Sequence, residues 1–367
     1  MYKDPTEVTN SLREKYGYKL KGDGPITYHL GSDYKRDPDG TFHASAESYI
    51  DKMVESYERT FGVTPKGFSS PLEKNDHPEL DSSEELGTGE ITLFQSHIGC
   101  LQWCVTLGRF DIATAVMTMS RYRVSPRKGH LERTKRMIGY LRKFKSGSIR
   151  VRTGIPDYSY LGKSPEYDWM NSVYGDVSEE VPKDAPAPLG KTVMTTTYVD
   201  ANLYHDWTTG RAVTGTLHFL NGTPIDWFSK RQNTVETATY GSEFVAARIA
   251  TDQVIDLRLT LRYLGVPVLD KSYMFGDNKS VVASSTRPHS KLNKRHTALL
   301  YHWVREAIAA KIIDFLHIDG KTNPADVLSK HCGHVNAWPH LKWLLFWQGS
   351  PPEQVDGIPR RKGETQV

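Results

Sequence analysis

The sequence predicts an α+β region rich in helices, followed by an α/β domain whose elements run in the order βββαβαβα. Length is the first observation, because 367 residues suit two domains of roughly 150 residues each. The second is the pair Asn221-Gly222, a hairpin turn signature between two predicted strands. The third is that acidic residues end or follow predicted buried strands in the same half of the chain. The α/β domain is therefore predicted to contain a five-stranded mixed sheet flanked by helices.

Composition limits the classes of protein. A hydrophobic content of 38% with 11% aromatic residues is typical of a soluble globular protein. No stretch approaches the roughly 18 consecutive apolar residues that a membrane span needs, and the first residues lack the apolar core of a secretion signal. Three cysteines, Cys100, Cys104 and Cys332, suit a reducing compartment. We therefore expect an intracellular protein that is not secreted and has no membrane partner.

The first predicted region, residues 1–154, begins with strands and continues with amphipathic helices. The turn signature Asp37-Pro38-Asp39-Gly40 separates predicted strands at 26–36 and 41–45. Apolar residues at helical spacing predict helices at 46–61, 93–107, 112–122 and 131–144. Residues 69–89 are rich in Ser, Pro, Asp and Glu and predict a surface loop. No catalytic constellation appears in this region.

Positive charge is concentrated in one segment of this region. Residues 121–152 contain twelve Lys or Arg and one acid, Glu132, while the whole chain carries a net charge of +4. A solvated basic face is one interpretation of this pattern. The other is a polyphosphate partner, whose binding depends mainly on such cations. On the second interpretation, Arg133, Arg136 and Lys143 are candidate nucleic-acid contacts.

Residues 155–191 contain five prolines and scattered acids, which predict an extended linker that runs along a neighbouring surface. The α/β domain is predicted at 192–334, with strands at 193–203, 212–220, 224–230, 272–276 and 312–318. Its helices are predicted at 237–264, from 279, at 297–311 and in a last short segment that begins at Asp326. A tail follows at 335–367, where Trp338, Trp343 and Trp347 are predicted to pack on the domain.

Four acids of the α/β domain occupy positions that are unfavourable for a lone carboxylate. Asp200 and Asp277 are predicted at the tips of buried strands, Glu243 beside the apolar stripe of a helix, and Asp326 at the start of the last short helix. Clustered carboxylates repel one another unless cations bind between them. Oxygen ligands of this kind suit Mg²⁺ or Mn²⁺. For each acid taken alone, a surface or capping role is the competing interpretation.

Sequence motifs around the four acids resemble those of a known family. They read Tyr-Val-Asp-Ala-Asn at Asp200, Ser-Glu-Phe-Val-Ala-Ala at Glu243, Gly-Asp-Asn-Lys-Ser-Val at Asp277 and Asn-Pro-Ala-Asp-Val-Leu-Ser-Lys at Asp326. In these motifs the domain resembles the ribonuclease H domain of copia-type LTR retrotransposon Pol polyproteins, which implies a ribonuclease H-like fold. Residues 1–154 resemble the thumb-and-connection-like part of the same polyproteins, although Phe110 stands where family members usually have Pro.

The resemblance implies a two-metal endonuclease that hydrolyses the RNA strand of an RNA·DNA hybrid. Two Mg²⁺ or Mn²⁺ ions would be held by the four acids, which would be both metal ligands and catalytic residues. His317 is a candidate proton shuttle at the mouth of the site, with a packed strand histidine as the competing interpretation. Lys230, Gln232 and Asn278 are candidate contacts to sugar or phosphate, whereas His296 recurs in the family pattern without an assigned role.

In this family the polymerase acids lie upstream, in a Tyr-x-Asp-Asp turn. The nearest match here, Tyr198-Val199-Asp200-Ala201, has Ala in place of the second Asp and belongs to the nuclease pattern. We therefore expect a chain without a polymerase active site. Its expected partners are the hybrid and the upstream reverse-transcriptase palm and fingers of the same polyprotein. The expected location is the cytoplasm, in virus-like particles, with the nucleus as a second location.

Two other interpretations stay open. A non-catalytic nucleic-acid-binding remnant of a degraded retrotransposon would keep the same motifs, although the intact set of four acids argues against it. An integrase on a related fold would place a Glu last and carry a zinc-binding His/Cys module. Here the last acid is Asp326, and the sequence His331-Cys332-Gly333-His334 lacks a fourth ligand at finger-like spacing.

Overall fold

Two β-sheets and ten α-helices make up the part of the protein that the computed structural model describes, namely residues 5–18, 25–161, 167–292 and 298–347. His296 lies outside the described residues, as does most of the predicted tail. Among the described helices, none combines the length and the apolar character that crossing a bilayer requires.

In the first region, four short strands form an antiparallel sheet in the order β1-β2-β3-β4. The strands are Tyr28–His29, Ser32–Arg36, Phe42–Ser45 and Ser148–Arg150. The predicted hairpin between β2 and β3 is confirmed: the Gly40 amide donates to the Asp37 carbonyl at 2.8 Å, and Gly40 adopts a φ of +88°, which glycine tolerates best. Strand β4 was not predicted, because three residues are too few to show an alternating pattern.

Helices supply the core of this region. They are α1 (Pro5–Tyr16), α2 (Glu47–Phe61), α3 (Thr88–Thr106), α4 (Ala113–Met119) and α5 (Lys128–Lys143). Helices α2 to α5 bury one apolar core, in which Ile50, Phe94, Ile98 and Met137 are almost completely inaccessible to solvent. Burial of these side chains is the main favourable contribution to folding of the region.

The second sheet contains five strands in the order β7-β6-β5-β8-β9. They are β5 (Thr195–Asp206), β6 (Arg211–Leu220), β7 (Thr223–Arg231), β8 (Ser272–Gly276) and β9 (Ile313–His317). Strands β5, β6 and β7 are antiparallel neighbours, whereas β8 runs parallel to both β5 and β9. The predicted five-stranded mixed sheet is therefore confirmed. One detail was wrong: β5 continues pairing with β6 as far as Asp206, so Asp200 lies within the strand and not at its tip.

Helices cover both faces of this sheet. They are α6 (Thr239–Tyr263), α7 (Lys279–Thr286), α8 (Ala298–Ala309), α9 (Asp326–Ser329) and α10 (Gly333–Leu344). Successive strand residues alternate between the two faces. Val199 and Met274 pack with α6, α7 and α8, whereas Tyr198 and Phe275 pack with α9 and α10.

The first region also packs on the second of these faces. Phe110, fully buried just before α4, joins the apolar cluster of Tyr198 and Phe275 and lies 5.3 Å from the ring of Trp227 on β7. Thr114 Oγ1 donates to the carbonyl of Val327 at 2.9 Å. The sheet is thus enclosed partly by residues of the first region.

Described residues of the predicted linker and of the predicted tail pack against the five-stranded sheet. Tyr158 of the linker is buried against Phe275, with ring centroids 5.0 Å apart, and its hydroxyl donates to Thr196 Oγ1 at 3.2 Å. In the tail, Leu341 and Leu344 are buried in the same cluster. Helix α10 therefore packs on the sheet and includes the first residues of the predicted tail.

Candidate active site

Asp200 lies at the centre of the candidate site, fully buried on β5. It pairs with Gly215 on β6, where a Cβ atom would come within 2.8 Å of the Ala325 carbonyl oxygen. Because Gly215 has no side chain, the segment that carries Asp326 packs directly on the sheet beside Asp200. Asn323 fixes this segment, since its side-chain amide donates to the Val199 carbonyl at 2.9 Å.

Glu243 reaches the same place from the second turn of α6, where it is 6% exposed. Its carboxylate accepts a hydrogen bond from the backbone amide of Ala201. Gln232 holds the start of the helix against the sheet: its side-chain amide donates to Thr214 Oγ1 at 3.0 Å and to the Ser242 carbonyl at 2.8 Å. The position of Glu243 is therefore fixed by bonds on both sides of it.

Asp277 follows β8, which is parallel to β5, so the two strands present their carboxylates to the same part of the sheet. Asn278 caps helix α7, and its Oδ1 accepts from the amides of Ser280 and Val281, each at 3.1 Å. His317, the last residue of β9, donates from Nε2 to the backbone carbonyl of Asp277 at 3.1 Å. The cap and this bond hold the turn that contains Asp277.

Ligand oxygens of Asp200, Glu243 and Asp277 all lie within 4.8 Å of one another. Burial, and then the charges of Asp200 and Asp277, hold the pKa of Glu243 well above its ordinary value. Burial, and then the charge of Asp200, likewise raise the pKa of Asp277. Three mutually repelling carboxylates with little access to water, all supplying oxygen, are the donor set that a hard divalent cation such as Mg²⁺ or Mn²⁺ fits.

Asp326 approaches Asp200 from another side and is joined to it by Lys330. The ammonium group of Lys330 lies 2.7 Å from Asp326 Oδ1 and 3.1 Å from Asp200 Oδ2. Ser329 Oγ also donates to Asp200 Oδ2. Helix α9 begins without a side-chain capping bond, so the capping interpretation of Asp326 is wrong.

The charges of Asp200, Asp326 and Lys330 shift the pKa values of Asp326 and Lys330. Burial, and then the charge of Asp200, raise the pKa of Asp326 to about 7. Burial alone would lower the pKa of Lys330. The carboxylates of Asp200 and Asp326 outweigh this effect and raise the pKa above its ordinary value. Sequence analysis did not identify Lys330. Its only local signal is an Asp and a Lys four residues apart, a common helical pair.

The predicted nucleic-acid contacts near the site differ in exposure. Lys230 is exposed on β7, and Asn278 is half-buried at its helix cap. Gln232 is 3% exposed and donates to Thr214 and Ser242, so its side chain serves the structure of the site. Contact between Gln232 and nucleic acid stays a prediction, and this burial does not favour it.

The basic helix α5 is paired with the acidic loop that precedes α3. Arg133 donates to Asp76 at 2.8 and 2.9 Å and to Asp81 at 2.6 Å. Arg136 donates to Glu73 at 3.1 Å, and Lys143 donates to Ser69 Oγ at 2.9 Å. These bonds neutralise part of the positive charge that sequence analysis assigned to a polyphosphate partner. A nucleic-acid contact for the three basic residues stays a prediction.

Comparison with known proteins identifies relatives for most of the chain, although no family model matches it. The chain is 28% identical over 330 residues to the retrovirus-related Pol polyprotein from transposon TNT 1-94 of Nicotiana tabacum, covering 85% of this chain and 22% of that protein. It is 24% identical over 328 residues to the corresponding polyprotein from transposon RE1 of Arabidopsis thaliana, covering 89% of this chain and 19% of that protein. The chain thus spans about a fifth of the length of these curated relatives.

Among solved structures, the chain is similar to the N-terminal ribonuclease H domain of a Mycobacterium tuberculosis protein, with 15% identity and a TM-score of 0.30. The match covers 40% of this chain and 97% of that domain. The predicted similarity to Pol polyproteins of transposons is confirmed over most of the chain.

Proposed function

We propose that this chain, a homologue of transposon Pol polyproteins, cleaves the RNA strand of RNA·DNA hybrids endonucleolytically. The observation that carries the proposal is the convergence of Asp200, Glu243 and Asp277, which come from β5, α6 and the end of β8. Their burial is unfavourable for the fold unless a cation compensates it, so a binding role explains their placement better than a structural role. Asp326 adds a fourth carboxylate to these three, because Lys330 pairs with both Asp326 and Asp200.

We assign Mg²⁺ or Mn²⁺ as the cofactor, with Asp200, Glu243, Asp277 and Asp326 as the ligands of two ions. Bound to these four carboxylates, divalent cations supply an activated water and stabilise the 3′ oxygen that leaves phosphorus. The fold contributes to catalysis by orienting the metal ligands. Because Asp200 and Glu243 are buried and their positions are fixed by Ser329 and Ala201, the ligands are oriented before substrate binds.

His317 is proposed to accept or release a proton at the edge of the site. Its bond to the Asp277 carbonyl requires a hydrogen on Nε2, which leaves Nδ1 as the atom that takes up the proton. The bond also keeps the imidazole beside Asp277.

The hybrid is proposed to be recognised through its shape and its 2′-hydroxyls, with weak sequence preference. Lys230 and Asn278 are the closer candidates for contacts to sugar and phosphate, and Arg133, Arg136 and Lys143 are more remote ones. As a second partner we propose the palm and fingers of a reverse transcriptase within the same polyprotein. The proposed location is the cytoplasm, within virus-like particles, and the nucleus.

Cleavage of an end-labelled RNA·DNA hybrid tests the proposal. We expect Mg²⁺-dependent cutting within the RNA strand, which EDTA abolishes, and no cutting of the DNA strand. Asp277→Asn should lower the rate by about 100-fold or more, since even residues that merely support metal ligands contribute roughly 10- to 100-fold. Asp270→Asn is the matched control, because it makes the same change at an exposed position before β8 and should leave the rate unchanged.

Two outcomes would overturn the proposal. Cutting that persists in Asp277→Asn would remove Asp277 from the mechanism. Hybrid binding without any cutting, in Mg²⁺ and in Mn²⁺, would instead support the non-catalytic remnant.

A further inference from the structure

Asp200 faces two groups of charges in this structure. On one side, one of its oxygens lies within 4.8 Å of a ligand oxygen of Glu243 and of Asp277. On the other side, the ammonium of Lys330 lies 3.1 and 3.2 Å from its two oxygens and 2.7 Å from Asp326. Lys330 therefore already supplies a positive charge between Asp200 and Asp326, whereas no Lys or Arg of the described residues forms an ion pair with Glu243 or Asp277.

We propose that Lys330 is a built-in counter-cation for Asp200 and Asp326, and that a second divalent ion binds there only by displacing it. The inference rests on the proposed function and concerns how the same site takes up its two metals. The first ion binds at Asp200, Glu243 and Asp277, of which only Asp200 is paired with the ammonium. The second binds more weakly, because the ammonium must give up two carboxylates first.

The chemistry of lysine suits this role. An ammonium is a compact single charge on a flexible stem of four carbons, so it can leave without moving the backbone. The Lys330 side chain is 34% exposed, which gives it a route to solvent, while Asp200 is fully buried. Ser329 donates to Asp200 independently of Lys330, so the carboxylate keeps its orientation when the ammonium leaves.

The arrangement also explains how the metal-free protein tolerates these acids. Lys330 lies four residues after Asp326, so both side chains project from the same side of the α9 turn. Within the described residues, no other Lys or Arg forms an ion pair with Asp200 or Asp326. Removing this charge should make the pair bind a divalent ion more strongly, and it should make the metal-free fold less stable.

Calorimetric titration of the full chain with Mn²⁺ tests the inference, using wild type, Lys330→Gln, Lys330→Arg and Lys321→Gln. Wild type should bind one ion and then a second, weaker one. Lys330→Gln should strengthen the second step by about tenfold or more, because it removes the cation that competes for Asp200 and Asp326 in a partly buried site. Lys330→Arg keeps the charge and should leave the second step as weak as in wild type, or weaker. Lys321→Gln is the control, since Lys321 is an exposed lysine on the turn before Asp326 and its loss should change either step by less than about twofold.

A second measurement covers the case in which Lys330→Gln folds only with metal present. Protein refolded in Mn²⁺ is passed through a gel-filtration column, and the Mn²⁺ retained per chain is counted. More Mn²⁺ retained by Lys330→Gln than by wild type supports the inference, and equal or lower retention overturns it. A second titration step that is unchanged or weaker in Lys330→Gln overturns it as well.

These results are independent of hybrid cleavage. Stronger Mn²⁺ binding by Lys330→Gln, in a protein that cuts no hybrid, would support the counter-cation and reject the proposed function. Normal Mg²⁺-dependent cutting by wild type, with Mn²⁺ binding that Lys330→Gln does not alter, would reject the counter-cation and leave the proposed function in place.

Discussion

The carboxyl group of Glu243 is buried between two other acids, and its environment opposes its charge. Burial is the larger cause of its raised pKa, and the charges of Asp200 and Asp277 add to it. Lys330 acts in the opposite direction but pairs directly with Asp200 and Asp326, not with Glu243. In the absence of divalent cations, Glu243 should therefore destabilise the fold.

Replacement of Glu243 by Gln should raise the free energy of unfolding by roughly 1 to 2 kcal/mol in EDTA. Gln keeps the shape of Glu and an oxygen that accepts from the Ala201 amide, but it does not repel Asp200 and Asp277. The measurement is urea denaturation at neutral pH. Mn²⁺ should then stabilise wild type much more than the variant, because binding to the folded state alone raises its stability.

The control for this experiment is Glu306→Gln, which makes the same change at an exposed position of α8 and should shift stability by less than about 0.5 kcal/mol. A Glu243→Gln variant that is less stable than wild type in EDTA would show that the carboxylate has a structural role.

Sequence analysis singled out the acids of the candidate site but not Lys330, which pairs with two of them. Asp200, Glu243 and Asp277 were identifiable because a carboxylate on a buried strand or stripe is unusual in its own neighbourhood of the sequence. Lys330 was not, since its meaning depends on Asp200, which lies 130 positions earlier in the chain. The burial of Gln232 was not anticipated for the same reason. Its burial beneath the start of α6 is a tertiary feature that no local pattern indicates.

At the scale of the elements, Glu179 fastens the linker to helix α6. Its carboxylate accepts from Arg258 at 2.8 and 2.7 Å and from Arg262 Nη2 at 2.7 Å. Arg258 is fully buried and also donates to the carbonyls of Leu269 and Asp270, each at 3.0 Å. One ion-pair network thus joins the linker, α6 and the segment that leads into β8.

The stability that Glu179 contributes should depend on pH. Burial alone would raise its pKa, but the hydrogen bonds from Arg258 and Arg262 outweigh it and lower the pKa to about 2 from an ordinary value of 4.5. Because the folded state has the lower pKa, the contribution is fully present above pH 4.5 and is lost as the pH falls through about 2. Glu179→Gln should therefore cost about 3 kcal/mol at pH 7 and progressively less below pH 4.5.

Urea denaturation of wild type and Glu179→Gln at pH 7, 4 and 3 measures this difference. The exposed neighbour Glu180 provides the control, and Glu180→Gln should change stability by less than about 0.5 kcal/mol at each pH. A difference for Glu179→Gln that stays constant from pH 7 to pH 3 would contradict the assignment of the lowered pKa to the arginine pair.

Elements with a clear local signal were predicted more accurately than short or irregular ones. The hairpin at Asn221-Gly222 was predicted because the turn itself fixes the pairing of β6 and β7. The end of β5 was placed three residues too early, since the polar run that contains Tyr204 and His205 does not resemble a strand. Its pairing is imposed by β6, which continues to Arg211 opposite Asp206. Strand β4 exists only because it pairs with β3, which no local signal could predict.

At the scale of the whole molecule, the first region and the α/β domain share an apolar core. Phe110 and Ala113 of the first region are buried in the same cluster as Tyr198, Leu217 and Phe275 of the sheet. Ion pairs strengthen the contact at its edge: the fully buried Asp206 accepts from both Arg121 and Arg231. The division at a linker, which remains a prediction, therefore need not correspond to two independently stable units.

We predict that the chain unfolds in a single cooperative transition. Phe110→Ala should lower the free energy of unfolding by about 3 to 5 kcal/mol, because it removes a fully buried ring from the shared core. Phe94→Ala is the matched comparison, since Phe94 is equally buried but lies within the core of the first region alone. In a single cooperative unit, both variants must shift the same transition, wherever in the molecule the cavity lies.

Differential scanning calorimetry in EDTA provides the measurement. For wild type and for both variants we expect one endotherm whose calorimetric and van't Hoff enthalpies agree, which is the signature of two-state unfolding. Two endotherms, of which Phe94→Ala moves only one, would show that the regions unfold independently. Because the sheet that carries Asp200 and Asp277 is enclosed on one face by Phe110 and its neighbours, a single transition would also mean that the four carboxylates are held together only while the first region is folded.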